Sequence, residues 1–280
     1  MTTLAGITLK LAKVLGNVTT GTATGGSATT LVDTGRAEAL SYWNSGCIWI
    51  TSGTYSGLSR AITTWTLSTN TFAFPTLAGA ILSGVTYSVI EGSPLGFSRS
   101  VLQNAVNAAL GEVKIPTLDT STVTVANQMS YALPAGASDL RKVEVATSLS
   151  SPYEYQEHNH WWNSATYLYF DERSQPDTAG YIIRLTYMAA HSELTDTDSV
   201  NALVDDNWLK WASAVHVLRW KMQRTKNDDP VVAQMLNEAI ANEAKYAARY
   251  PLPRQDKSPH YPVWDAGSEK IESDVNLVRF

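Results

Sequence analysis

The sequence predicts an α+β protein. An amino-terminal all-β module covers residues 1–95, a helical core with a β-rich insertion covers 96–262, and an extended carboxyl-terminal arm covers 263–280. Three observations lead there. Charge is unevenly spread: residues 1–95 hold four basic and three acidic side chains, whereas the rest holds 17 basic and 23 acidic. The change follows Gly92-Ser93-Pro94, a breaker cluster suited to a domain boundary. Clear helical spacing of apolar residues begins after residue 98, with short β-type runs before and between the helices.

Composition sets the outer bounds. With 280 residues, 44% apolar and 17% charged, the chain can bury a sizeable core and is not disordered by composition. The net charge of -5 argues against a general nucleic-acid-coating protein, because those are basic. A single cysteine, Cys47, excludes an intramolecular disulfide framework and a multi-cysteine metal site, and fits synthesis in a reducing cytoplasm. No apolar run approaches the roughly 20 residues of a membrane span. Lys10 and Lys13 interrupt the amino terminus, which therefore does not read as a secretory leader.

Within 1–95 every element is expected to be β, in a small sandwich or barrel. Thr, Val, Ile, Trp and Tyr recur in short runs, a composition that fits a pleated, half-buried surface. The runs are 28–32, 47–51, 59–65, 71–74 and 86–90, and Gly53 and Gly57 supply the turn between the second and third. The Thr/Gly-rich stretch 19–30 reads as a flexible lead-in. Ser98 then caps a short helix, 98–111, whose Leu102, Val106, Ala109 and Leu110 share a face.

The β insertion covers 115–192. Its best strands are 122–126, 130–133, 140–145, 167–170 and 181–188, and the alternation in Thr122-Val123-Thr124-Val125 implies one buried face. A long helix follows over 199–224. Its stripe of Val204, Trp208, Trp211, Val215, Leu218 and Met222 predicts a buried seam. Asp229-Pro230 opens a second helix over 230–250, with Val232, Leu236, Ile240, Ala244 and Ala247 as its apolar face. The short link makes the two an antiparallel hairpin. Pro251, Pro253, Pro259 and Pro262 then keep the chain extended. Tyr261, Trp264, Leu277, Val278 and Phe280 give that arm apolar groups to dock on a neighbour.

Few side-chain groupings suggest chemistry. Glu154, Glu157, His158 and His160 crowd one segment, and imidazole and carboxylate suit a divalent metal. A strand places residues 158 and 160 on one face without assuring a third ligand, so a structural or surface role is the plainer account. Asp171-Glu172 and Asp205-Asp206 are paired acids, the latter placed where acids meet a helix dipole favourably. No nucleophile elbow, phosphate-binding loop or dinucleotide fingerprint is present, and nothing positive argues for an enzyme, a cofactor or a metal. Cys47 reads as a small core residue. Of the nine tryptophans, Trp43, Trp49 and Trp65 would stack on sugars if exposed. Trp161-Trp162 puts one ring away from the core if it lies in a strand, which marks it as a candidate interface.

The order of parts resembles the head–tail connector (adaptor) proteins of tailed bacteriophages. The resemblance covers residues 96–262. It comprises the helix Ser98 to Glu112, the Tyr131-Ala132-Leu133-Pro134 turn before Val143-Glu144-Val145, the helix Leu203 to Arg224, a tight turn, a second helix and the arm. Tyr42-Trp43-Asn44-Ser45-Gly46 and Ile50-Thr51-Ser52-Gly53 are similar to modules of phage virion proteins. The family implies a homo-oligomeric ring, typically of twelve copies, in the virion neck. Its partners there are the portal protein and the tail or stopper proteins, and DNA passes through the ring without sequence-specific binding or membrane contact. Capsid decoration, or a carbohydrate-binding β module, are the alternatives.

Overall fold

The computed structural model describes residues 2–16, 18–91, 97–137, 139–172, 174–195, 197–224 and 229–249. These form a mixed α+β protein with four α-helices and four antiparallel sheets. The described residues of 1–115 and 190–253 make one compact unit, and those of 116–189 make another.

The first unit opens with a helix where strands were expected, α1 (Leu4–Leu15). Thr3 caps it, its hydroxyl accepting from the Gly6 amide at 3.2 Å. Leu4, Ile7, Leu11 and Leu15, spaced by three and four, are buried with Thr8 and Ala12 between them. Lys10 and Lys13 fall on the other face, so the charges that interrupt the run in sequence do not interrupt the stripe.

Eight strands follow: β1 (Thr19–Thr22), β2 (Gly25–Gly26), β3 (Thr30–Val32), β4 (Cys47–Ile50), β5 (Ser59–Ala61), β6 (Thr64–Thr66), β7 (Thr71–Ala73) and β8 (Thr86–Ile90). They make two sheets, ordered β1-β8-β4-β5 and β2-β3-β7-β6. The Thr/Gly stretch expected to be a loose lead-in is thus β1 and β2, held by pairing with β8 and β3. The single run expected at 59–65 divides into β5 and β6, one strand in each sheet, with buried Ile62 at the crossing. Gly53 and Gly57 sit between β4 and β5 at φ +75° and +88°, where a side chain is strained.

All four residues of β4 are buried. Ile48 and Ile50 face a core shared by the two sheets, with Trp43, Trp65, Phe72 and Tyr87. Cys47 and Trp49 face a second core formed with the helices. Trp49 Nε1 donates to Thr8 Oγ1 of α1 at 3.1 Å, which ties sheet to helix. Residue 95 is therefore not a boundary of this unit, because the sheet before it and the helices after it share apolar surface.

The remaining helices are α2 (Arg99–Gly111), α3 (Asp206–Arg224) and α4 (Pro230–Arg249). Ser98 caps α2 as expected. Asp205 Oδ1 accepts from the Asn207 and Trp208 amides at 2.9 Å and starts α3 there, not at 199. The preceding residues pair instead with the amino terminus: Val200 N donates to Thr2 O at 2.9 Å, and Leu4 N to Asp198 O at 3.0 Å. Asp229 caps α4 through the Val231 and Val232 amides. α3 is central, with α1, α2 and α4 all packed on it. Ala212, Ser213, Ala214 and Val215 are consecutively buried, so the middle turn of α3 is enclosed beyond a single seam, while Arg219 and the last turn reach solvent.

The second unit is all β. Its strands are β9 (Lys114–Val123), β10 (Ser130–Ala132), β11 (Leu140–Ala146), β12 (Tyr155–His158), β13 (Trp161–Asn163), β14 (Tyr167–Phe170) and β15 (Ile182–Ala190). They form sheets ordered β12-β11-β15-β9 and β10-β14-β13. Tyr131, Val143, Trp161, Leu168, Phe170, Ile183 and Leu185 fill its core. The alternation at 122–125 runs opposite to expectation, because Val123 and Val125 are exposed and Thr124 is 1% exposed. Thr124 is satisfied inside: its hydroxyl donates to Thr178 O at 2.7 Å and accepts from Tyr181 N at 2.9 Å.

Candidate functional site

The most distinctive surface of the second unit is aromatic. Strand alternation sends Trp161, Leu168 and Phe170 inward and Trp162 and Tyr167 outward. The register sets Trp162 directly opposite Tyr169. Their rings stack, with centroids 5.4 Å apart and planes 9° from parallel. Tyr167 stands 6.2 Å beyond Tyr169, tilted by 44°. Trp162 is 40% exposed and Tyr167 45%, so three rings form an open ridge across β13 and β14. The Trp161-Trp162 pair therefore divides as strand geometry requires, one ring in the core and one on the surface.

In the other sheet of this unit, β12, β11 and β15 carry a charged seam. Arg184 donates to both oxygens of Glu144, its direct cross-strand partner, at 2.7 Å each. Lys142 Nζ lies 3.0 Å from Glu144 and 3.3 Å from Glu157. The Arg184 guanidinium lies 3.8 Å from the Tyr155 ring centroid. Arg184 holds the Glu144 carboxyl below the usual range, with Lys142 helping and partial burial opposing. The seam joins three strands and leaves no uncompensated charge among these groups.

A groove of about 400 Å³ includes Gln156, Glu157, His158, Asn159, His160 and Ser174 in its lining. His158 packs against the Phe170 ring at 4.9 Å. Burial, and secondarily the charge of His160, pushes its imidazole below the ordinary value. Glu157 is drawn to Lys142, so the Glu/His cluster does not converge. Among the described residues no group of three or more His, Cys, Asp and Glu could hold a metal ion.

The other residues singled out in sequence divide clearly. Trp43, Trp49 and Trp65 are buried, so none can stack on a sugar. Trp208, Val215 and Leu218 are buried as the long-helix stripe requires; Val204 is buried too but lies ahead of the helix and not on it, and Trp211 is half-buried. On α4 Val232 and Ala239 are buried and Leu236 is partly buried against the same core, whereas Ile240, Ala244 and Ala247 are exposed. Tyr261, Trp264, Leu277, Val278 and Phe280 lie outside the described residues. Sequence reasoning missed Tyr167 and Tyr169, although the Tyr-Leu-Tyr-Phe alternation of 167–170 signals an aromatic outer face. It also missed a buried network in the first unit. There Arg36 Nε donates to Tyr87 Oη at 2.7 Å, and Tyr87 donates to Asp33 Oδ2 at 2.6 Å.

No helix among the described residues is long and apolar enough to cross a membrane. No protein-family model matches the chain, and no curated protein is significantly similar to it in sequence.

Proposed function

We propose that the protein is a structural virion component: a head–tail adaptor that forms a ring between portal and tail components around the DNA exit channel. It acts by assembly, not by catalysis. The reading rests on the order of parts, α2, an inserted β unit, α3 and α4, with the chain continuing past Arg249. The observation that carries it is the aromatic ridge of Trp162, Tyr167 and Tyr169 on that inserted unit. Large aromatics exposed together are what interfaces bury, and they contribute most at the centre of a contact. In this reading the helices around α3 give each copy a rigid body. The inserted unit and the carboxyl segment with Tyr261, Trp264, Leu277, Val278 and Phe280 supply contacts to neighbours. Cryo-electron microscopy of the intact particle, with symmetry left free at the neck, tests it. The expected result is a ring, twelvefold in this family, that fits this chain beneath the portal. Density on the capsid lattice or the tail tip would overturn it in favour of decoration or another virion role.

A further inference from the structure

We infer that the Pro259-His260-Tyr261-Pro262 segment of one copy docks on the Trp162–Tyr169–Tyr167 ridge of a second copy. The inference rests on the assembly reading above and names one contact that assembly would use.

The ridge has the chemistry of a proline-binding surface. Flat rings stand side by side, two nearly parallel and the third tilted by 44°, which leaves a wedge between Tyr167 and Tyr169. The indole N–H and phenol O–H groups of such residues are hydrogen-bond donors at the rim of an apolar surface. A polyproline II segment complements both features. Its rings fit against aromatic planes, and its carbonyls, unpaired within that helix, accept from indole and phenol donors. Because the segment is stiff before it binds, little conformational entropy is lost on docking.

The chain carries such a segment. Beyond Arg249 come Pro251, Pro253, Pro259 and Pro262, whose missing N–H groups disfavour helix interiors and central strands. Pro259 and Pro262 are three residues apart, the spacing of one polyproline II turn, which sets two rings on one side of such a helix. Tyr261 adds an aromatic ring to the segment. Pro259 lies ten positions beyond Arg249, a reach of roughly 33–36 Å when extended. Among the described residues the ridge is uncovered, with Trp162 and Tyr167 both exposed, and in the assembly reading the segment of a second copy is its occupant.

The test uses a dye-labelled peptide of residues 251–263, titrated with the full-length protein and followed by fluorescence anisotropy. Saturable binding is expected. It should weaken at least tenfold with Trp162→Ala or Tyr169→Ala in the protein, and with Pro259→Ala and Pro262→Ala together in the peptide. Circular dichroism checks that the variants fold, and Trp162→Leu replaces any that does not. Absent binding, or binding that ignores the ridge variants, overturns the inference. Sedimentation of the full-length protein over a range of concentrations settles whose segment docks. Self-association reduced by the proline substitutions supports a second copy. Concentration-independent shielding of Trp162 from quencher means that the chain's own segment docks, and overturns it. A neck ring with a bare ridge would overturn this docking and leave the adaptor reading intact. Peptide binding by a protein found elsewhere in the particle would sink the adaptor reading alone.

Discussion

Gly21 has no room for a side chain. A Cβ there would lie 2.5 Å from Tyr87 Oη and 2.7 Å from Asp33 Oδ2, inside the network that satisfies Arg36. Gly21→Ala should therefore cost about 1–3 kcal/mol in urea unfolding, the range for overpacking a filled interior. A cost near zero would mean the network yields freely. At the charged seam, Arg184→Ala leaves Glu144 buried without its two guanidinium donors. With Lys142 still in place, the loss should be about 2 kcal/mol. The response to acid has an upper part from His158 and a lower part from carboxylates held below their ordinary values, Glu144 with Glu38, Asp198 and Asp206. Burial holds His158 below its ordinary 6.5, so below that value the unfolded chain takes up the proton first and stability declines as pH falls. Glu144, held below 4.5 by Arg184, contributes fully above that value and loses its contribution as pH falls through its lower folded value. Urea midpoints should thus fall in two stages, and His158→Gln should remove the upper one. An unchanged upper stage would assign it to another group.

Among the elements, α3 shows what apolar spacing can and cannot reveal. The stripe from Trp208 to Leu218 marks one buried face, but the small residues Ala212, Ser213 and Ala214 extend burial beyond it in the middle turn, and small residues leave no periodic signal. Trp208 is 8% exposed and Trp211 is half-buried, so Trp208→Ala should cost about 3–5 kcal/mol and Trp211→Ala about half that. Equal costs would show that the two rings are equally enclosed. The caps at Ser98 and Asp229 were legible because capping is local chemistry. Most strand positions were legible too, since β-branched runs between glycines need no partner to be recognised. Strand pairing was not. Nothing local in 19–30 announces that β8 and β3 would recruit those residues, and nothing in 59–65 marks the change of sheet at Ile62. The helix α1 was missed because two lysines broke the run when read in line, although Thr3 and the spacing of Leu4, Ile7, Leu11 and Leu15 were there to be read. On α4 the expected stripe drifted after Leu236, because steps of four run ahead of a 3.6-residue turn.

For the whole molecule, the inserted unit and the body that carries it have separate cores. The aromatic ridge belongs to the former and the packed helices to the latter. The outward tryptophan of the candidate site followed from strand alternation alone. Its two tyrosine neighbours needed the register between β13 and β14, which sequence does not set. If the ridge is a contact surface, Trp162→Ala should leave the urea midpoint of the free subunit within about 0.5 kcal/mol, as for ordinary surface changes, while impairing assembly into particles. A large loss of subunit stability would make the ring part of the fold instead.

The position of β4 bears on how the first unit comes apart. Its alternate side chains are divided between two apolar interiors, two to each, so neither interior can open without disturbing the strand that lines the other. Melting of the helices and of the two sheets is thereby linked into one cooperative event. Native-state hydrogen exchange would register this as amides of Cys47–Ile50 that exchange last, through the same global opening that releases the buried turns of α3.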